Sequence, residues 1–238
     1  MLLNINKPKR LSSHDVVRFI RQLSGEQRVG HAGTLDPFAT GVLVVGVTRS
    51  STKLLGELSE NTSKEYLATL KLGEVTKTYD PTSEVTASAS AEQIASITLE
   101  NILQLLPQFT GKIQQQAPTY SALKENGVSA YKAARRGEAR IMPVREVCVT
   151  ELELLRFESP FVELRIACEA GTYIRSIAHD LGTKLGVGAH LTALTRTRVG
   201  DYKIEDSISM EEMKKIFMVE PNGVEPSTSC MPCKRSTN

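Results

Sequence analysis

The sequence has 238 residues, 40% of them hydrophobic, and a formal net charge of +2. That length supports a substantial core in one large domain, with or without an appendage. No apolar run approaches the length of a membrane span, and Met1-Leu-Leu-Asn-Ile5 is too short for a signal-peptide core, so a cytosolic protein is expected. The charge is uneven: Pro118 to Arg145 carries Lys124, Lys132, Arg135, Arg136, Arg140 and Arg145 against Glu125 and Glu138, a segment suited to a polyanion.

Met1 to Asn6 reads as a strand, followed by the basic turn Lys7-Pro-Lys-Arg10. Ser12 or Ser13 caps a helix whose stripe is Val16, Val17, Ile20 and Leu23, and Gly25 stops it. Gly30-His-Ala-Gly-Thr-Leu-Asp-Pro-Phe-Ala-Thr-Gly-Val-Leu43 then holds one carboxylate, Asp36, among small, apolar and neutral residues. Gly30, Gly33 and Gly41 permit unusual backbone or close approach, and Pro37 pushes Asp36 out of the helical region, so an irregular loop presenting Asp36 is expected. Val42 to Val47 reads as a buried strand anchoring that loop, and a second helix surrounds Leu54, Leu55 and Leu58.

In Glu65 to Leu72, Tyr66, Ala68, Leu70 and Leu72 share one face of a strand. Thr78-Tyr-Asp-Pro81 and the Ser- and Ala-rich run to Ala91 read as turns and loop. Ser90-x-x-Gln93 is a capping box, and Ile94, Ile97, Ile102, Leu105 and Leu106 indicate helical packing broken at Pro107. The basic segment interleaves Tyr120 and Tyr131 with its cations, which suits phosphates and unstacked bases or, equally, a solvated helix face. Val147–Phe157 and Phe161–Cys168 alternate as a hairpin turning at Ser159-Pro160.

Gly171 and Thr172 lead into a helix striped by Ile174, Ile177, Ala178, Leu181 and Leu185. This places Arg175 in the N-terminal turn, where a cation opposes the helix dipole and calls for an acidic partner such as Asp36. His190–Val199 has strand character, and Ser209-x-x-Glu212 opens a helix bearing Met213, Ile216 and Phe217. The remainder lacks periodicity and reads as an unstructured tail. Cys148 and Cys168 read as buried free thiols, and Cys230-x-x-Cys233 is a weak zinc pattern.

No metal-ligand spacing or nucleophilic Ser or Cys context is evident, and Asp36 stands without a second carboxylate. Glycosidic hydrolysis uses two, whereas a single carboxylate suits covalent catalysis or stabilisation of a cationic centre. The stretches Asn6-Lys-Pro8 with Ser12-Ser13, Gly30 to Gly41, Lys64-Glu-Tyr66, Tyr120-Ser-Ala-Leu-Lys124, Gly171-Thr-Tyr-Ile-Arg175 and Ala189-His190 through Leu194 resemble the TruB family of bacterial tRNA pseudouridine synthases. The resemblance covers residues 2–216 and implies an α+β fold, with a mixed, largely antiparallel central sheet flanked by helices and an RNA-binding cleft across its middle.

It also implies conversion of the T-loop uridine of tRNA, position 55, to pseudouridine, without cofactor or catalytic metal and without a protein partner, by a monomer. Asp36 matches the catalytic aspartate, Tyr66 the tyrosine that stacks on the target base, and Arg175 the arginine paired with the aspartate. His31, Tyr173 and Leu194 match pocket positions, and Lys7, Lys124, Arg135 and Arg136 fall in stretches expected on the RNA. By domain, residues 1–210 form the catalytic unit, with 118–145 as an RNA-gripping insertion. Residues 211–238 form a shortened linker helix and tail departing from the family after Phe217, where an RNA-binding C-terminal domain is expected. A guide-RNA-dependent relative and a tRNA-remodelling module without chemistry are the competing classes.

Overall fold

The computed structural model describes residues 1–121, 123–125, 127–138 and 140–218, with the side chains of Lys124, Glu125 and Met218 outside that description. The expected tail and the Cys230/Cys233 pair lie outside the described residues. Among the described residues no helix is long and apolar enough to cross a membrane.

The chain runs β1 (Leu2–Lys7), α1 (Ser13–Ser24), β2 (Val29–Ala32), β3 (Thr40–Val47), α2 (Arg49–Glu60), β4 (Lys64–Leu72), β5 (Glu74–Thr76) and β6 (Val85–Ser88). Then come α3 (Ala91–Ala95), α4 (Leu99–Leu105), a 3-10 turn at Leu106–Phe109, β7 (Gly111–Gln116), β8 (Lys124–Glu125), β9 (Val128–Ser129) and α5 (Ala130–Arg135). The last third is β10 (Val144–Glu158), β11 (Phe161–Cys168), α6 (Ile174–Lys184), β12 (Ala189–Val199), β13 (Tyr202–Lys203) and α7 (Met210–Met218).

One sheet organises the molecule in the order β1-β3-β12-β4-β11-β10-β7, with β2 on β3 and β13 on β12. Its neighbours are antiparallel except β3 and β12, so the expected mixed, largely antiparallel sheet is present. The parallel seam is short, Thr40 opposite Thr195 and Gly41 opposite Arg196. Gly41 has φ +100°, and a Cβ there would fall 2.2 Å from the Arg196 carbonyl oxygen, so the seam closes only because residue 41 lacks a side chain.

β3 is a continuous apolar run because both its faces are covered. Leu43, Val45 and Val47 pack with Val16, Val17 and Ile20 of α1 and Met213 of α7, while Val42 and Val44 pack with Leu55 of α2. Ser12 caps α1 through a capping box with Asp15, and Gly25 ends it in the left-handed conformation. β4 alternates as its sequence predicts, turning Tyr66, Ala68, Leu70 and Leu72 onto the main core with Leu164 and Ile166 of β11 and Ile177 and Leu181 of α6.

Three local expectations are corrected, and one strand comes without any. Gly30 and His31 belong to β2, paired with Gly46 and Val45, so the irregular loop is only the 33–39 connection. The run before Ala91 contains β6, paired with β5. The helical stretch before Pro107 is two short helices, because Thr98 caps α4 anew. Strand β7, a polar sequence on the sheet edge, has no apolar run to announce it.

Candidate active site

Asp36 lies in the 33–39 connection, which is clamped from several sides. The Ser13 hydroxyl accepts from Leu35 N–H at 2.8 Å and lies 3.1 Å from Leu35 O, and Arg10 N–H donates to Pro37 O at 2.7 Å. The buried Leu35, Phe38 and Ala39 fix the loop to the core. Arg196 locks its base, donating from Nε to Val42 O at 2.8 Å and from an Nη to Gly33 O at 3.1 Å.

The Asp36 carboxylate is 34% exposed and meets Arg175 on both oxygens, Nε–Oδ2 at 2.9 Å and Nη2–Oδ1 at 3.4 Å. The expected ion pair is therefore present, in two-pronged form. Arg175 is buried at the start of α6, and its other donors reach Thr78 O at 2.9 Å and Tyr120 O at 2.8 Å. Its Nη1 also lies 3.7 Å from Asp80 Oδ2.

Asp80 corrects the picture of a solitary acid. It is buried, and its Oδ1 accepts from the Thr78 hydroxyl at 2.5 Å, Thr82 N–H at 2.9 Å and the Thr82 hydroxyl at 2.5 Å. From sequence Thr78-Tyr-Asp-Pro81 reads as a turn alone. The turn is real, and its density of short polar side chains was the available signal that the aspartate is fastened inside it.

Burial pushes the Asp36 carboxyl above its ordinary range; Arg175 opposes the shift, and Asp80 adds to it. Arg175 thus offsets part of the desolvation rather than depressing the pKa outright. Burial likewise raises the Tyr66 hydroxyl against the opposing pull of Arg196, so the phenol is neutral at pH 7. His31 is lowered to about 4 by burial, then by His14 and Arg196, so its ring is neutral as well. It meets His14 edge to face at 6.4 Å.

These groups line one cavity of about 740 Å³. Asp36, Tyr66, Arg175, His31, Tyr173 and Leu194, expected from distant stretches of sequence, all contribute to its wall. Arg196, a strand cation with no expected role, lines it too. Its signal was a charged residue among alternating strand positions, since a buried arginine must satisfy five donors.

Other expected residues lie elsewhere. Lys7 does not line the cavity: the last residue of β1, opposite Gly41, it is fully buried and donates to Pro8 O at 3.0 Å and Leu11 O at 2.7 Å. Burial lowers its pKa to about 8, against the opposing pull of Asp36. Arg135 and Arg136 are exposed outside the cavity, Arg135 over the Tyr131 ring at 4.7 Å and Arg136 3.8 Å from Glu138. The Lys124 side chain lies outside the described residues. Among the described residues no cluster of His, Cys, Asp and Glu could hold a metal ion.

A family model described as the TruB family pseudouridylate synthase N-terminal domain matches residues 21–174. The chain belongs to the TruB family. It is an isomerase that turns uridine into pseudouridine, the family's reaction. A second model, the tRNA pseudouridylate synthase B C-terminal domain, matches residues 175–228, running past the point after Phe217 where the sequence was expected to leave the family.

The tRNA pseudouridine synthase B of Thermobifida fusca is 47% identical over 225 residues, covering 91% of this chain and 75% of that protein. That of Corynebacterium diphtheriae is 43% identical over 218 residues, covering 90% and 72%. Among solved structures, a Cbf5-Nop10-Gar1 complex contains a chain with TM-score 0.71 and 30% identity, matched over 94% of this TruB-family chain but only 56% of its own length.

Proposed function

We propose that this chain converts uridine 55 in the T loop of tRNA to pseudouridine as a monomer in the cytosol, with Asp36 as the catalytic carboxylate. The observation that carries the reading is the two-pronged Asp36–Arg175 pair, exposed on one side to a cavity that Tyr66, Tyr173 and Leu194 also line. Such a carboxylate is aimed, and the raised pKa set by burial makes it a stronger nucleophile than a solvated one.

The target base leaves the stack to reach this depth. Tyr66 offers its ring for stacking, and Leu194 supplies an apolar wall. The isomer keeps every atom of the uridine: the N1–C1′ bond breaks, the C5–C1′ bond forms, one proton leaves C5 and one arrives at N1. Asp36 serves by bonding to the sugar or the base while the uracil turns, and Arg175 keeps it oriented throughout. The exposed Arg135 and Arg136 hold phosphates of the RNA arm by long-range charge.

The test is incubation of the purified chain with an unmodified tRNA transcript, without guide RNA or other proteins, followed by pseudouridine mapping. Product at position 55 alone, abolished in Asp36→Asn with tRNA binding retained, is the expected result. Product at other positions, or only with a guide RNA, would overturn the assignment.

A further inference from the structure

Strand β7 has one buried polar side chain where its alternation calls for an apolar one. Gly111, Ile113 and Gln115 share a face, and Gln115 is the most buried residue of the strand, while Gln114 and Gln116 are exposed. A buried amide must spend both its functions on partners. Gln115 does so on a single residue: Tyr173 N–H donates to its Oε1 at 2.8 Å, and its Nε2 donates to Tyr173 O at 3.1 Å.

Tyr173 occupies the N-cap of α6, and its own side chain makes no capping bond. Its carbonyl also accepts from Ser176 N–H at 3.1 Å and Ile177 N–H at 3.2 Å, so Gln115 grips the helix at its first peptide. The Ser176 hydroxyl adds a bond to Gln116 O at 2.9 Å. Two residues after Tyr173 stands Arg175, whose guanidinium returns to Tyr120 O, on the chain leaving the same strand. The edge strand and the first turn of α6 are stitched together around the arginine that orients Asp36.

We propose that Gln115 is a positioning residue for the isomerisation, fixing Arg175 and the Tyr173 ring against Asp36 through the main chain of Tyr173. This rests on the reading of Asp36 and Arg175 given above. Gln115 does not line the cavity, so its loss alters the orientation of the reacting groups rather than the grip on tRNA.

The experiment compares Gln115→Met, which keeps shape and loses both bonds, Gln115→Asn, which keeps the amide and loses its reach, and Arg175→Met as reference. Single-turnover rate at saturating tRNA, tRNA affinity and melting temperature are measured for each. Both Gln115 variants should lose on the order of 10- to 100-fold in rate, the cost of a misplaced reacting group, with tRNA affinity within about threefold of the parent. If Gln115→Met does not fold, Gln115→Asn carries the test by the same criteria. A rate within twofold of the parent, or one restored by more tRNA, would overturn the positioning role. If Arg175→Met keeps the parental rate, the reading of the site itself fails. If Arg175→Met is inactive while Gln115→Met is normal, the positioning inference alone fails.

Discussion

Two regions place cations near the cleft by opposite means. Arg175 on α6, Arg196 on β12 and Lys7 on β1 are buried, and each donates to at least two backbone carbonyls. In the basic segment the framework is two two-residue strands, a six-residue helix and a small cluster of Ala117, Ala130 and Met142, with Arg135 and Arg136 exposed. A group that takes part in bond making must be held to a fraction of an ångström, which only a packed framework achieves. A cation that attracts phosphate acts over roughly 10 Å and tolerates looser construction.

The sharpest separation of the two regions should come from Asp36→Asn. The rate should fall by on the order of 10³-fold or more in single-turnover assays, with tRNA affinity largely kept. Stability should not fall. A carboxyl whose folded pKa is raised binds its proton more tightly in the native state, so its stabilising contribution is complete below the unfolded pKa and is lost as pH rises through the folded one. At neutral pH the ionised Asp36 is a burden, and the neutral amide should melt no lower than the parent.

Leu164→Ala, in the main core, should cost about 3–5 kcal/mol in denaturant unfolding, since the site is fully buried. Met142→Ala, in the three-residue cluster of the basic segment, should cost about 2 kcal/mol or less because that cluster is small and collapses more readily. Equal costs would mean that the segment is as tightly built as the main core.

The pH–rate profile reports on the buried region alone. Activity should fall on acidification through an apparent pKa above the ordinary carboxylate value as Asp36, facing Arg175, Asp80, Lys7 and Tyr66, takes up a proton. His31, already lowered to about 4, should add no inflection between about pH 5 and 8, and His31→Gln should leave the profile's shape unchanged there.

The smallest effect on chemistry belongs to the joint change Arg135→Ala and Arg136→Ala. Affinity should weaken and the slope of log affinity against log salt should flatten by about one to two, with the rate at saturating tRNA unchanged. An unaltered slope would return both arginines to a solvated face.

What could be read from sequence was what repeats at short range. The alternation in β4, the apolar run of β3 and the Ser12 and Gly25 stops of α1 each depend on neighbours within one element. The approach of Arg175 to Asp36 was anticipated because a cation in the first turn of a helix is unfavourable unless something compensates for it. Lys7 misled because a lysine beside a proline reads as surface, whereas in the fold it is fully buried and its ammonium is spent on Pro8 O and Leu11 O. Gln115 stayed hidden because its partner is set by tertiary placement, Tyr173 being 58 residues away, and Asp80 because its approach to Arg175 is, although Thr78 and Thr82 hold it locally. The polar strand that carries Gln115 gives no periodic signal.

The parallel seam at Gly41 divides the cleft. Asp36 belongs to the β2–β3 side, while Tyr66 and Leu194 stand on β4 and β12 across it. Backbone meets backbone there with no side chain at residue 41, and the Thr40 and Thr195 hydroxyls clasp the joint at 2.9 Å. The missing Cβ is thus what lets the strand that follows the Asp36 loop lie directly against the strand carrying Leu194 and Arg196.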